Sequence, residues 1–425
     1  MKLRKTPLSP LQLFFGLCFL NAALFFLLLP VLGQHGFDWV VMENNSHFES
    51  ADYFLCLLYS LGGARVYQFG VDACYSPLSY AVFAFFSRAT SAADLFQGTD
   101  LLQVPYVNLI DLTPTLLTSP YQLMAYLMYL LAGVSLCLLA IRQLALRDSE
   151  KTALTACVLC SVPLLFGAVE RGNLTLYVAP LVLLAWKLRD SERPLLRELA
   201  LVLIAVAAGL KFYPAFLGLL YLQEQRWKEA ARLIVYGAVC VFVPFAFYGG
   251  LDGLRLLLAN LSQLTAGTNY FHRVQFFQGM LTFFHISGRL ARVLNLVFLL
   301  GLVMLFWCTK DRVRRMTYLA AMLAFYPPNG YRYMLLFFLL PLFAWAEERS
   351  REAAKPAVRQ WFEAVLFAAV FSVPTLFGLL TGFRLSFSSY TLTYVEFFIY
   401  AAAWALLALA VCGDLPAFKR RLCHV

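Results

Sequence analysis

The sequence predicts an all-α polytopic membrane protein with about twelve transmembrane helices and interfacial helices in a large first outer loop. Three observations predict it. Of the 425 residues 61% are apolar and only 14% charged, which leaves too little polar surface for a body surrounded by water. Apolar runs recur along the chain at lengths a bilayer selects. Most of the 34 lysines and arginines sit in short loops between those runs, on one side only.

The runs fall near 11–32, 119–142, 153–169, 173–187, 195–210, 213–223, 232–249, 290–308, 314–327, 332–346, 358–379 and 391–412. Leu11–Leu32 stands where a signal peptide would, but no A-x-A-like site follows, since "LPVLGQHGFDW" comes next. It is therefore expected to be the first span. The segment 213–223 is too short to cross alone, so 195–223 is expected to be a bent or re-entrant pair. One set of loops holds Lys2, Arg4 and Lys5, then Arg142, Arg147 and Lys151, then Lys187, Arg189, Arg193 and Arg197. The same side continues with Arg226, Lys228 and Arg232, with Lys310 to Arg315, with Arg349 to Arg359, and with Lys419 to Arg421. By the positive-inside rule that side and both termini are cytoplasmic, in a plasma membrane crossed many times.

The net charge of +10 is thus spread over loops rather than gathered into a patch, and a nucleic-acid partner is rejected. The ten cysteines show no metal-ligand spacing; Cys157 and Cys160 lie in an apolar run and read as buried thiols. No Walker loop, GxGxxG, HExxH or nucleophile elbow occurs, so no cofactor is expected and soluble-nucleotide chemistry has no support. Residues 1–425 read as one membrane domain. Its outward loops, 33–118 and 250–288, carry interfacial helices at "YSPLSYAVFAFFSRA" (Tyr75–Ala89) and "LDGLRLLLANLSQL".

Ionisable residues from these outer loops and turns share one membrane face: Asp38, Glu43, Glu49, Asp52, Glu170, Arg171, Lys211, His272, Arg273, His285, Arg332 and Glu396. Asp52 opens the apolar run "DYFLCLLYSLGG" and is either a helix cap or a catalytic carboxylate. "ERGN" (170–173) joins two spans by almost no loop, and charges placed there are expensive unless they pair or work. Lys211 lies within "VAAGLKFYPAFLGLL", where Pro214 breaks the helix. An ammonium beside freed backbone N–H groups makes a phosphate clamp; the alternative is a lysine snorkelling along its own stem. "FYPPNGYRY" (325–333) is a Pro- and Gly-rich outer turn carrying Arg332 and three tyrosines.

The ordered set of Asp52, "YSPLSY" (75–80), "ERGNLTLY" (170–177), "AAGLKFYPAF" (207–216), "LQEQRWKEAAR" and "YPPNGYRYMLLFFLLPL" (326–342) resembles glycosyltransferase family 87. That family comprises integral-membrane enzymes of the GT-C class, and the likeness spans residues 10–345. It implies a GT-C-like fold, a polyprenyl-phosphate-sugar donor, mannose foremost, and a glycan or glycolipid acceptor. Asp52 matches the first-loop aspartate used as general base. Tyr75, Pro77 and Leu78 match Y-P-P-L, with Ser76 where a second proline is usual. Gly172 and Asn173 match G-x-N or G-N, with Glu170 and Arg171 beside them. Lys211, Tyr213 and Pro214 match K-x-Y-P, and Arg332 stands where relatives vary. Lys211, with Arg171 or Arg332, is expected to hold the donor phosphate, and Tyr75, Glu170, Asn173 and Tyr213 to line the substrate site. Composition and topology alone also permit a carrier or flippase for a lipid-linked sugar, or a non-catalytic envelope-assembly subunit.

Overall fold

A computed structural model describes residues 8–32, 51–96, 100–104, 116, 118–266, 276–286, 288–327, 331–351, 356–376 and 394–422. Among the described residues every regular element is helical. The expected site candidates Asp38, Glu43, Glu49, His272 and Arg273 lie outside them.

In chain order the elements are α1 (Pro10–Leu32), α2 (Ala51–Leu61), a 3₁₀ turn at Gly63–Phe69 and α3 (Pro77–Ala89). Then come α4 (Pro120–Arg142), α5 (Asp148–Leu159), a π turn at Leu164–Val169 and α6 (Thr175–Leu188). Next are α7 (Pro194–Leu210), a 3₁₀ turn at Tyr213–Leu217, α8 (Gly218–Gln223) and α9 (Trp227–Phe242) with a 3₁₀ extension to Phe247. The helices α10 (Gly250–Ala266) and α11 (Phe277–Phe283) follow, then α12 (Gly288–Cys308) and α13 (Arg312–Phe325). The chain closes with a 3₁₀ turn at Arg332–Phe338, α14 (Leu339–Arg351), α15 (Val358–Phe371) and α16 (Tyr394–Leu422).

Five helices among the described residues are long and apolar enough to cross a bilayer: Pro10–Val31, Pro120–Arg142, Trp227–Phe247, Gly288–Cys308 and Val395–Leu415. They form the periphery. Leu27, Leu131, Ile234 and Leu300 point outward from four of them and are more than half exposed, as side chains facing acyl chains should be. The other expected spans are shorter or broken: 153–169 is split into α5 and a π turn, and 195–223 is bent at Lys211 as its proline requires.

The inner layer is α13, the Arg332–Phe338 turn and α14, in which nearly every side chain from Met316 to Phe325 and from Arg332 to Ala346 is buried. Around it α6 packs against α4 and α7, α7 against α9, and α15 against α1 and α16. Ion pairs lace the end where the basic loops gather. Buried Glu347 accepts from Lys187 Nζ (2.5 Å), Arg312 Nη2 (2.9 Å) and the Ala145 N–H (2.7 Å), tying four segments together. Asp414 on α16 receives Arg314 Nη1 (2.6 Å) and the Tyr318 hydroxyl (2.8 Å).

Both segments expected to carry interfacial helices are helical. Ser76 takes extended geometry just before α3 and Pro77 starts the helix, the position where its missing N–H costs nothing. At 13 residues α3 is too short to cross. The second, α10, buries Leu257 and Leu264 on one side and exposes Leu251 and Leu258 on the other. Cys56 and Cys74 are free thiols.

Candidate active site

Proline chemistry at residue 214 builds one wall of the site. Because Pro214 has no N–H and its ring crowds the preceding turn, α7 stops at Leu210 and Lys211 adopts extended φ/ψ of −143° and 130°. The stop frees carbonyls at the helix end, which must find donors when buried. Two serines from the start of α3 supply them: the Ser76 hydroxyl donates to the Gly209 carbonyl, and the Ser79 hydroxyl to that of Leu210 at 2.6 Å. Thus the serine of "YSPL" ties the start of α3 to the break in α7.

The "ERGN" turn forms a second wall. Gly172 has φ of +60°, and a Cβ there would lie 2.6 Å from the Tyr53 Cβ and 2.9 Å from the Tyr126 ring. Both the left-handed backbone and the close approach require glycine. The turn aims Arg171 and Asn173 at the first turn of α2. There Asp52 accepts from Arg171 Nη2 (2.7 Å) on one carboxylate oxygen and from Asn173 Nδ2 (2.7 Å) on the other. The Asn173 amide oxygen accepts from Lys211 Nζ (2.9 Å) and from the Thr175 backbone N–H (2.9 Å) and hydroxyl (2.7 Å). Asn173 Nδ2 also donates to the Tyr75 hydroxyl at 3.2 Å.

Aromatic faces complete the enclosure. Lys211 Nζ lies 4.9 Å from the Tyr333 ring centre, 5.2 Å from Tyr75 and 5.9 Å from Tyr213, and Arg171 sits 4.7 Å from that of Tyr331. Such rings stabilise a cation while excluding water from it. The structure therefore brings Asp52, Tyr75, Arg171, Asn173, Lys211 and Tyr213 together from four sequence-distant segments. Burial alone opposes an ionised Asp52, but Arg171, the Asn173 amide and the Lys211 charge outweigh it and hold the carboxyl below its ordinary value.

Lys211, only 8% exposed, heads a cavity of about 370 Å³. Tyr75, Tyr213 and Tyr333 border the lysine, and Phe216, Leu261 and Leu264 make the remainder apolar. A second apolar groove of about 500 Å³ between α7, α8 and α9 shares Phe212, Ala215 and Phe216 with it.

Other expected residues stand differently. Glu170 is half-buried at the end of the π turn. Arg332 is fully buried, pairs with Glu396 of α16 at 3.4 Å, and does not line the cavity. Its neighbour Tyr333 does, because successive residues of a 3₁₀ turn point about 120° apart. His285 is exposed and is not among the lining residues. Thr175, Tyr331, Tyr333 and Ser79 were not singled out from sequence. For the tyrosines the signal was present, since "YRY" offers two rings, one to Arg171 and one to Lys211.

A carboxylate ion-paired to an arginine thus stands beside a buried lysine at one end of an apolar cavity in a helical membrane protein. Residues 74–337 match glycosyltransferase family 87, and the chain belongs to that family. No curated protein and no solved structure matches it. The matched residues contain the "YSPL", "ERGN", "KFYP" and "YRY" segments but begin after Asp52, which joins the site through its bonds to Arg171 and Asn173.

Proposed function

We propose that this glycosyltransferase moves a hexose, mannose in the first instance, from a polyprenyl-phosphate donor to a hydroxyl of an extracytoplasmic glycan or glycolipid. The observation that carries the reading is the Lys211 ammonium, buried at the head of an apolar cavity and joined to Asp52 through the Asn173 amide. A cation in such a place calls for a permanent anion, and the apolar groove beyond Phe212 and Phe216 suits the isoprenoid attached to it.

In this reading the donor phosphate binds Lys211 and competes for Arg171. Releasing Arg171 frees one Asp52 oxygen and raises its basicity. Asp52 then takes the acceptor's hydroxyl proton while that oxygen attacks the anomeric carbon. The bond from carbon to phosphate oxygen breaks, its electron pair leaves with polyprenyl phosphate, and the sugar inverts. Negative charge grows on the leaving phosphate, where Lys211 and Arg171 in a dry cleft stabilise it most. Tyr75 and Tyr213 orient the sugar and Asn173 holds base and clamp in register. Arg332, behind the cavity, fixes the "YRY" turn to α16. The membrane arrangement proposed with it has the shorter, broken helices crossing as well, as a GT-C-like unit of about twelve spans. Both termini are then cytoplasmic and the site extracytoplasmic, following the basic loops.

Thermal stabilisation of the purified protein by polyprenyl monophosphate and by polyprenyl-phosphate-mannose tests the donor assignment. Stabilisation of wild type and Asp52→Asn, lost in Lys211→Met, is the expected result. If neither lipid stabilises wild type, the reading fails.

A further inference from the structure

At the end of the molecule opposite the catalytic cavity lies a second enclosure of about 420 Å³, whose lining includes Lys187, Arg189, Lys310, Arg312 and Arg315 and a single carboxylate, Asp190. Thr175 and Lys187 mark the two ends of α6, which places the enclosure roughly 20 Å from Asn173 by the rise of the helix. The lysine and arginine side chains come from the C-terminal end of α6 and from the residues that open α13.

The nearby acids do not neutralise it. Glu347 takes Lys187 and Arg312, and Glu224 takes Arg189 at 2.6 Å and Arg315 at 3.9 Å, while Asp190 meets Arg189 and Arg226. Asp311, at the N-cap of α13, pairs with Arg314. Cations still outnumber carboxylates around the cavity, and Lys310 adds an exposed charge. Arg189 is only 7% exposed, yet its Nη1 has no hydrogen-bond partner among the described residues, and neither has Arg315 Nε. Buried guanidinium N–H groups left unpaired are costly, and their planar forks fit phosphate oxygens. The α13 N-terminus adds its dipole in the same direction.

We infer that this enclosure binds a phosphate group on the basic-loop side of the membrane. Its level indicates a membrane lipid's headgroup as the source. The span α12 ends at Cys308, two residues before Lys310, and Gln223 holds that end by donating to the carbonyls of Phe306 (3.0 Å) and Trp307 (3.1 Å). Half-exposed Trp307 marks the depth where indoles and headgroups meet, and beside the enclosure Lys187 and Arg312 lie 5.3 and 4.8 Å from the ring of buried Trp186. The site is independent of the donor chemistry, and no residue in it belongs to the catalytic cluster.

The test is the midpoint of thermal unfolding of full-length protein in a zwitterionic detergent. It is titrated with short-chain phosphatidylglycerol, with short-chain phosphatidylcholine, and with inorganic phosphate against chloride at equal ionic strength. The variants are Lys310→Gln/Arg315→Gln and, as a charge control on the same side, Arg197→Gln. Phosphatidylglycerol should stabilise wild type and Arg197→Gln, with half-saturation about tenfold weaker in the double variant. Stabilisation by inorganic phosphate with the same variant dependence would support the site and make its ligand soluble. Equal stabilisation of all three proteins, or of none, overturns it, as does equal response to phosphatidylcholine. If the double variant fails to fold, native mass spectrometry of wild type and Lys310→Gln alone decides, by whether retained phosphatidylglycerol falls.

Discussion

The peripheral helices and the inner segments meet the membrane's demands in opposite ways. α4 and α12 run unbroken for 23 and 21 residues, and one long face of each is exposed. A backbone turned toward lipid has no other source of hydrogen bonds, so it stays helical from end to end. The inner segments break repeatedly: a π turn before α6, 3₁₀ turns at Tyr213–Leu217 and Arg332–Phe338, and an extended residue at Lys211. Those breaks survive because side chains from other segments satisfy the freed groups, as Ser76 and Ser79 do for the end of α7. Lys211 sits at one of these breaks, and packing around it makes that possible.

The contrast can be broken at its centre first. Asp52→Asn should lower turnover at least ~100-fold while leaving donor-induced stabilisation intact, measured by sugar transfer at saturating donor. Activity within a few-fold of wild type would reduce Asp52 to a structural partner of Arg171. Its pH dependence has a defined sign. The folded-state value is held down, so the stabilisation from its charge is fully present above the unfolded value and is lost as pH falls through the folded one. The acid limb due to Asp52 in a pH profile of donor-free thermal stability should therefore lie below about 3.9.

Gly172→Ala tests the turn that aims Arg171 and Asn173. A left-handed alanine costs roughly 1–2 kcal/mol before any clash, and its methyl would meet Tyr53 and Tyr126, so a fall in unfolding midpoint accompanied by lost activity is expected. Ser76→Ala should be milder, about 1 kcal/mol for the lost bond to a helix-end carbonyl. It should also raise donor KM more than it lowers kcat, because it loosens the mount of Lys211 rather than removing the charge. At the periphery Leu300→Ile, on a lipid-facing side of α12, should change stability by less than about 0.5 kcal/mol and leave transfer unchanged. Equal sensitivity of both regions would end the distinction.

Much of the site was legible because its chemistry is expensive in an apolar sequence. A lysine beside "FYP", an "ERGN" between two spans and an aspartate opening an apolar run each stand out against their surroundings, and the structure gathers all three. Tyr333 rather than Arg332 lines the cavity, and the sequence did not reveal it, since a charge is conspicuous in sequence whereas the direction of a side chain on a 3₁₀ turn is not. Ser76 was visible only as a departure from a pattern; its donation to Gly209 depends on two segments 133 residues apart. The ion pair to Glu396, which anchors the "YRY" turn to α16, was equally hidden.

By itself the sequence determined the class of solvent, the positions of the long helices and the places where the helix must stop. Hydropathy and proline sterics act over a few residues and need no partner to be read. Only the tertiary structure decided which broken ends face one another, which cations share one carboxylate, and where unpaired guanidinium groups were left enclosed. Those are set by packing among distant segments, and a low-dielectric interior makes each such pairing matter far more than its place in the chain suggests.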